Sequence, residues 1–350
     1  IKRIMAYTTI NKSTDYFNTV LYTGNGSAGN SITGVGFQPD FVWIKNRGNT
    51  ESHAVFDAVR GVTKRIATNS SGGEETNANT VTAFGTDGFT VGTNAGVNGS
   101  GVSTVAWNWK MNGAGSSNSD GSVTTTVSVD STAKMSIVKW TGTGSAATIG
   151  HGLGVTPDYI IVKCLDSGEN WVVWSNAMAA NQFLRLSTSA SVGTDSYVWN
   201  NTLPTSSVFS VSSDNTTNKS GSGMVAYCFS NVKGFCKAGK YTGNGNADGT
   251  FVYTGFKPAF VLYKNSTDSA TNWQIHDSAR SPSNLSVNRL NPNDSSVEVT
   301  TTGDSFDLLS NGFKARGTAS NSNTSAKNYI YMAFAEAPLV GSNNIPATAR

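Results

Sequence analysis

Asp57-Ala58-Val59-Arg60 and Asp277-Ser278-Ala279-Arg280 are two places in this chain where a carboxylate stands three residues ahead of a guanidinium. Such a pair can close across a turn, where it either binds a polar ligand or ties the turn as an internal ion pair. The stretch in the same relative place mid-chain, Ser175-Asn176-Ala177-Met178, has neither charge. Aromatics are the other binding candidates, because an exposed Trp or Tyr suits a sugar-binding surface. Trp107, Trp109, Trp171, Trp174 and Trp273 sit within apolar segments and read as core. Trp199, in Tyr197-Val198-Trp199-Asn200-Asn201, stands among polar residues and is the first tryptophan to test. Asp57, Arg60, Asp277, Arg280 and Trp199 are therefore the candidate ligand-contacting residues.

No catalytic pattern accompanies them. His53, His151 and His276 lie in different settings, and the chain has no HExxH, nucleophile elbow or Cys-His signature. An enzyme is not expected. Asn291-Pro292-Asn293-Asp294 lacks the carboxylate density of a calcium site. Cys164, Cys228 and Cys236 do not recur between repeats, so no metal site or disulfide belongs to a shared design; three buried or half-buried free thiols are expected, with a Cys228–Cys236 bridge as the alternative. No cofactor is implied.

What positions the candidates is a unit written three times. Tyr22-Thr23-Gly24-Asn25-Gly26 returns as Trp140-Thr141-Gly142-Thr143-Gly144 and as Tyr241-Thr242-Gly243-Asn244-Gly245. Fifteen residues after the first glycine of each block comes a proline with an apolar run: Pro39 before Phe41-Val42-Trp43-Ile44-Lys45, Pro157 before Tyr159-Ile160-Ile161-Val162-Lys163, and Pro258 before Phe260-Val261-Leu262-Tyr263-Lys264. Each copy closes on a strand-like segment, aligned as Val105 to Trp109, Val225 to Phe229, and Met332 to Glu336. Equal spacing over roughly 100 residues marks a duplicated domain-sized unit rather than a solenoid.

The segments are short, rich in β-branched and aromatic residues, and bounded by Gly, Asn, Ser or Pro, which predicts strands. Helix-like stretches are limited to the surroundings of Ala54 to Lys64 and Ala177 to Phe183. The Thr-Gly-Asn-Gly blocks read as tight turns whose two glycines allow positive φ, not as phosphate loops, since no GxxxxGKS/T follows. The fold expected is all-β, three tandem β-sandwich domains of the jelly-roll or lectin-like sort. The boundaries are an N-terminal arm at 1–15, repeat 1 at 16–112, a linker and strand at 113–133, repeat 2 at 134–233, repeat 3 at 234–337 and a C-terminal tail at 338–350.

Composition agrees: 350 residues are too many for one ordinary core and comfortable for three small domains in series. Charged residues make up only 13%, and Ser, Thr, Asn and 37 glycines give a neutral polar surface. The formal charge of +3 is spread thinly, which argues against nucleic-acid binding. No apolar stretch approaches the ~20 residues needed to span a bilayer, and Ile1 to Ile10 has no signal-peptide pattern, so a soluble protein without classical export is expected.

The opening Met5 to Ser13, the Tyr-Thr-Gly-Asn-Gly blocks, Gly255 to Val261 and the ending Tyr329-Ile330-Tyr331-Met332-Ala333-Phe334-Ala335-Glu336-Ala337-Pro338 resemble a family of repeat proteins encoded among the structural genes of tailed bacteriophages, especially marine ones. The resemblance covers about Ala6 to Arg350, and Met5 would make a natural start for it. It implies a virion-exterior structural protein of a fibre, tail or capsid surface, partnered by other virion proteins and by further copies of itself, and it transfers no binding residues. In that setting 6–17 and the tail from Leu339 would be docking arms. The alternative is a host-surface glycan-binding adhesin of a tail or head fibre, serving host attachment.

Overall fold

A computed structural model of the chain describes residues 7–166 and 168–339. Met5 and the tail from 340 onward lie outside the described residues. Within them the protein is nearly all β, built from antiparallel sheets packed face to face. No helix among the described residues is long and apolar enough to cross a membrane.

The same four-strand order, opening–closing–central–flanking, occurs in each copy. The opening strands are Phe17–Thr23, Met135–Thr141 and Cys236–Thr242, and the closing strands Ser103–Trp109, Gly223–Phe229 and Asn328–Pro338. The central strands are Phe41–Asn46, Tyr159–Cys164 and Phe256–Asn265, and the flanking strands Ala54–Asp57, Val172–Ser175 and Gln274–Asp277. Registers coincide as well: Phe17 pairs with Trp109, Met135 with Phe229 and Cys236 with Phe334. This register corrects the alignment of the third closing strand by two residues. Met332, not Phe334, is equivalent to Trp107 and Tyr227, because the phrase Met-Ala-Phe imitates Val-Ala-Trp while the strand pairs through Leu262 with Met332.

Across copy one's four-strand sheet lies a smaller sheet of Asn30–Thr33, Gly88–Val91 and Val81–Gly85. Val42, Ile44, Ala54, Phe56 and Ala106 meet Ile32, Val81, Phe89 and Val91 in the sandwich interior. The opposite face of that sheet is buried too, through Phe41, Trp43, Val55, Val105, Trp107 and Trp109. Burial on both faces is why the central strands read as unbroken apolar runs rather than as alternating ones. The second face packs against the other copies, in one apolar cluster that runs through all three. Its middle is aromatic: the Phe17 ring lies 5.1 Å from that of Phe334 and 5.7 Å from that of Phe260, and Phe41 stacks on Tyr227 at 4.3 Å. The copies are thus gathered around a common core, not strung out in series.

The helix-like stretches are not helices. Ala54–Asp57 and Gly61–Ala67 pair as strands, and Gln182–Arg185 is a strand after a turn. Sheet pairing and two-sided burial override their local composition. The short helices stand elsewhere, at Ala95–Asn98 and Asn215–Asn218, capped by the side chains of Asn94 and Asp214. The segment expected as an N-terminal docking arm packs on the protein itself: Ile10 is in the core, and the Tyr7 hydroxyl donates to the Gly255 carbonyl at 2.7 Å.

Candidate functional site

Residues of all three copies converge where the four-strand sheets meet. Three equivalent main-chain bonds cross between copies: Glu74 N–H to the Leu165 carbonyl, Val192 N–H to Ser266 and Glu298 N–H to Arg47, at 2.6, 3.0 and 2.9 Å. They run from copy one to two, two to three, and three to one. A head-to-tail contact that returns to its start after three steps is a closed ring. The chain therefore builds a pseudo-threefold body from its own three copies.

Each junction is fastened by a lysine at the end of a central strand. Lys45, Lys163 and Lys264 are fully buried. Their Nζ atoms donate to carbonyls of the adjoining copy, Ser295, Ser71 and Ser189, at 3.2, 3.3 and 3.5 Å. Nearer acceptors complete each cage: Glu51 O at 2.6 Å for Lys45, Glu169 O at 2.8 Å for Lys163 and Thr271 Oγ1 at 2.6 Å for Lys264. Burial lowers all three lysines to about 8, since a desolvated ammonium ringed by neutral carbonyls is harder to keep charged. Indole donors repeat the pattern at two junctions, with Trp171 Nε1 donating to Ala67 O and Trp273 Nε1 to Arg185 O; His53 stands at the equivalent position of copy one.

The Asp/Arg candidates lie inside this ring. Asp57 accepts from Arg60 Nε and, across the junction, from the Tyr227 hydroxyl at 2.7 Å. Asp277 accepts from Arg280 Nε and from Trp107 Nε1 of copy one at 3.0 Å. Both ion pairs have fully buried side chains. Arg60 also donates to Val55 O and Glu74, and Arg280 to Ile275 O and Glu298. Burial disfavours the charge on each arginine, yet the facing carboxylates hold both above their ordinary value. Glu298, which burial would raise, is held low by Arg47 and Arg280. With donors and acceptors spent on one another and no solvent access, these four residues tie copies together rather than meet a ligand.

Trp199 is likewise interior: it is 3% exposed and packs edge-on to Phe209. Its polar neighbours in sequence are carried on a loop whose Tyr197, not Trp199, faces solvent.

The family profile described as Domain of unknown function (DUF7483) matches residues 12–338, nearly the whole ring. The chain belongs to the DUF7483 family. No curated protein matches it.

Other titratable groups of this DUF7483 chain are built into the packing. His53 Nδ1 accepts from Trp43 Nε1 at 2.9 Å, and His276 Nδ1 lies 3.2 Å from Ser286 Oγ. Burial lowers all three histidines, His276 to about 3, so they are neutral at physiological pH. The three cysteines are buried, and none of them is in a disulfide. Among the described residues no group of three or more His, Cys, Asp or Glu side chains is placed to hold a metal.

Two recurring constellations escaped the sequence reading. One is the lysine ring, whose signal was a lysine ending each apolar run. The other is a buried asparagine, Asn98, Asn218 or Asn323, that holds each glycine turn. Asn98 accepts from the Asn25 N–H and donates to Ser27 O and Gly92 O; Asn218 and Asn323 repeat these bonds. Its signal was Asn-x-Ser, present as Asn98-Gly99-Ser100, Asn218-Lys219-Ser220 and Asn323-Thr324-Ser325. The turn glycines divide the work that had been assigned to both. Gly26, Gly144 and Gly245 have positive φ, whereas Gly24, Gly142 and Gly243 are needed for close approach: a Cβ there would stand 2.1–2.3 Å from the carbonyl oxygen after that asparagine.

Proposed function

We propose that this protein is a structural component of a bacteriophage virion exterior, a fibre, tail or capsid-decorating element. The observation that carries the reading is the closed ring: one chain supplies a rigid threefold body fastened by buried lysines, ion pairs and a shared aromatic core. Such a body fits a threefold or pseudo-threefold seat, and its neutral Asn-, Ser- and Thr-rich loops offer hydrogen bonds without charge. Its partners in this reading are other virion proteins and further copies of the chain. Mass spectrometry and cryo-EM of particles purified from a producing culture test it. Stoichiometric presence, with density the size of the ring on the particle surface, is the expected result; absence from the particles, with the chain left in host lysate, overturns it.

A second reading, a glycan-binding adhesin of a tail or head fibre, is favoured by one observation: copy three exposes Phe251 and Tyr253 beside a cleft.

A further inference from the structure

One edge of the sandwich differs between copies. Where the opening and closing strands pair, copy one sets Val20 opposite Ala106 and copy two sets Val138 opposite Ala226, but copy three sets Gly239 opposite Tyr331. With no Cβ on Gly239, the Tyr331 ring lies across it, its hydroxyl 3.0 Å from where that Cβ would stand. Tyr331 is 2% exposed, and its hydroxyl has no hydrogen-bond partner among the described residues. The ring is covered but its hydroxyl oxygen reaches the surface, where a ligand can engage it.

This hydroxyl borders a cleft of about 530 Å³ at the open edge of copy three. On the facing strand Phe251 and Tyr253 flank the inward Val252 and are 43% and 49% exposed. Copy one has Ser31 and Thr33 at these positions and copy two Thr148 and Gly150. Copy two's edge is also covered, since a Cβ on Gly150 would stand 1.9 Å from Asn118 Oδ1. Lys237 lies 5.5 Å over the Tyr253 ring, Lys240 is exposed on the rim, and no Asp or Glu lines the cleft.

We infer that this cleft binds an acidic saccharide. Phe251 and Tyr253 offer ring faces to the C–H faces of the sugar, Tyr331 meets a ring hydroxyl, and Lys237 and Lys240 take the carboxylate or sulfate. The inference deepens the adhesive reading and is independent of where the ring sits on a particle.

The test is binding of the purified full chain to an array of uronate-containing, sulfated and neutral oligosaccharides. Two variants rewrite copy three with residues its sister copies already use: Gly239→Val with Tyr331→Ala, and Phe251→Ser with Tyr253→Thr. The expected result is retention on acidic members only, weakened at least about tenfold in either variant and also by Lys240→Glu, with melting temperatures showing that each variant is folded. Wild-type protein that binds no acidic member, that prefers neutral ones, or that binds as tightly as both folded double variants overturns the inference. Particle composition, measured separately, decides the virion reading whichever way the array falls.

Discussion

Two junctions of the ring carry a buried Asp–Arg pair and the third does not, and the difference lies on both sides of the interface. Between copies one and two, Asp57 and Arg60 meet Tyr227; between three and one, Asp277 and Arg280 meet Trp107. At the equivalent positions between two and three stand Ser175, Met178 and Met332, all buried. Where the carboxylate is present the facing strand supplies an O–H or N–H donor, and where it is missing the facing residue is a thioether. Copy two is therefore not merely drifted: its loss of both charges is matched by the partner it packs on. The Ser175 hydroxyl keeps the turn-capping part of the aspartate's work, accepting weakly from the Ala177 N–H as Asp57 does from Val59. A cavity of about 280 Å³ lined by Met178, Val192, Lys240 and Ile330 lies at this third junction.

The comparison breaks most severely if a charged junction tolerates the loss of its carboxylate. Asp277→Ala leaves Arg280 buried beside Glu298 alone and strips Trp107 Nε1 of its acceptor. The expected loss is about 3–5 kcal/mol, read from guanidinium denaturation, with a similar loss for Asp57→Ala. Ser175→Ala, at the third junction, should lose less than about 1 kcal/mol. Equal losses at the two kinds of junction would end the distinction.

The reverse transplant is the next largest effect. Ser175→Asp places a carboxylate among Met178 and its apolar surroundings without a facing donor, and should destabilise by about 2 kcal/mol at neutral pH. The loss should shrink at pH 4, where the carboxyl enters the interior protonated. A variant as stable as wild type at pH 7 would show that the junction admits water and is not matched as described.

A third measurement asks what the junctions share. Lys45 has a folded value of about 8, below that of an unfolded lysine. Below pH 8 it is charged in both states and the desolvation cost is fully present; between 8 and about 10.4 the unfolded chain binds more protons, so this group makes stability rise with pH. Buried Tyr and Cys groups such as Cys228 and Tyr159, raised by burial, act in the opposite direction at alkaline pH, so the lysine must be isolated by difference. Relative to wild type, Lys45→Met should lose stability by up to about 1.4 kcal/mol per pH unit between pH 8 and 10. A flat difference would mean that the cage stays wet.

How much of this could be read from the chain divides along the same line. Strand content and the repeated unit were legible, because fixed spacing and β-branched runs report local pairing. The ring was not, because apolar runs such as Phe41 to Ile44 signal burial on two faces without naming what covers the second. Lys45, Lys163 and Lys264 were the available sign, since a lysine continuing an apolar strand must find acceptors beyond its own sheet. The Asp/Arg spacing was seen, but the donor that decides its role lies 170 residues away in both cases. Trp199 was misjudged because chain neighbours say little about burial in a loop that folds back on its sheet.

The finest test converts one kind of junction into the other. Asp57→Ser, Arg60→Met and Tyr227→Met together write the third junction's residues between copies one and two. Removing one partner strands a charge, but replacing a whole buried ion pair with apolar residues of similar size is often close to neutral. The triple variant should therefore fall within about 1–2 kcal/mol of wild type, recovering most of what Asp57→Ala alone loses. Glu74 would no longer face Arg60 but keeps Lys64 at 3.6 Å at the half-exposed margin, so it is not left buried and alone. If the triple variant is as damaged as the single one, the third junction lacks the ion pair for some reason other than matched packing, and the two kinds are not interchangeable solutions to one interface.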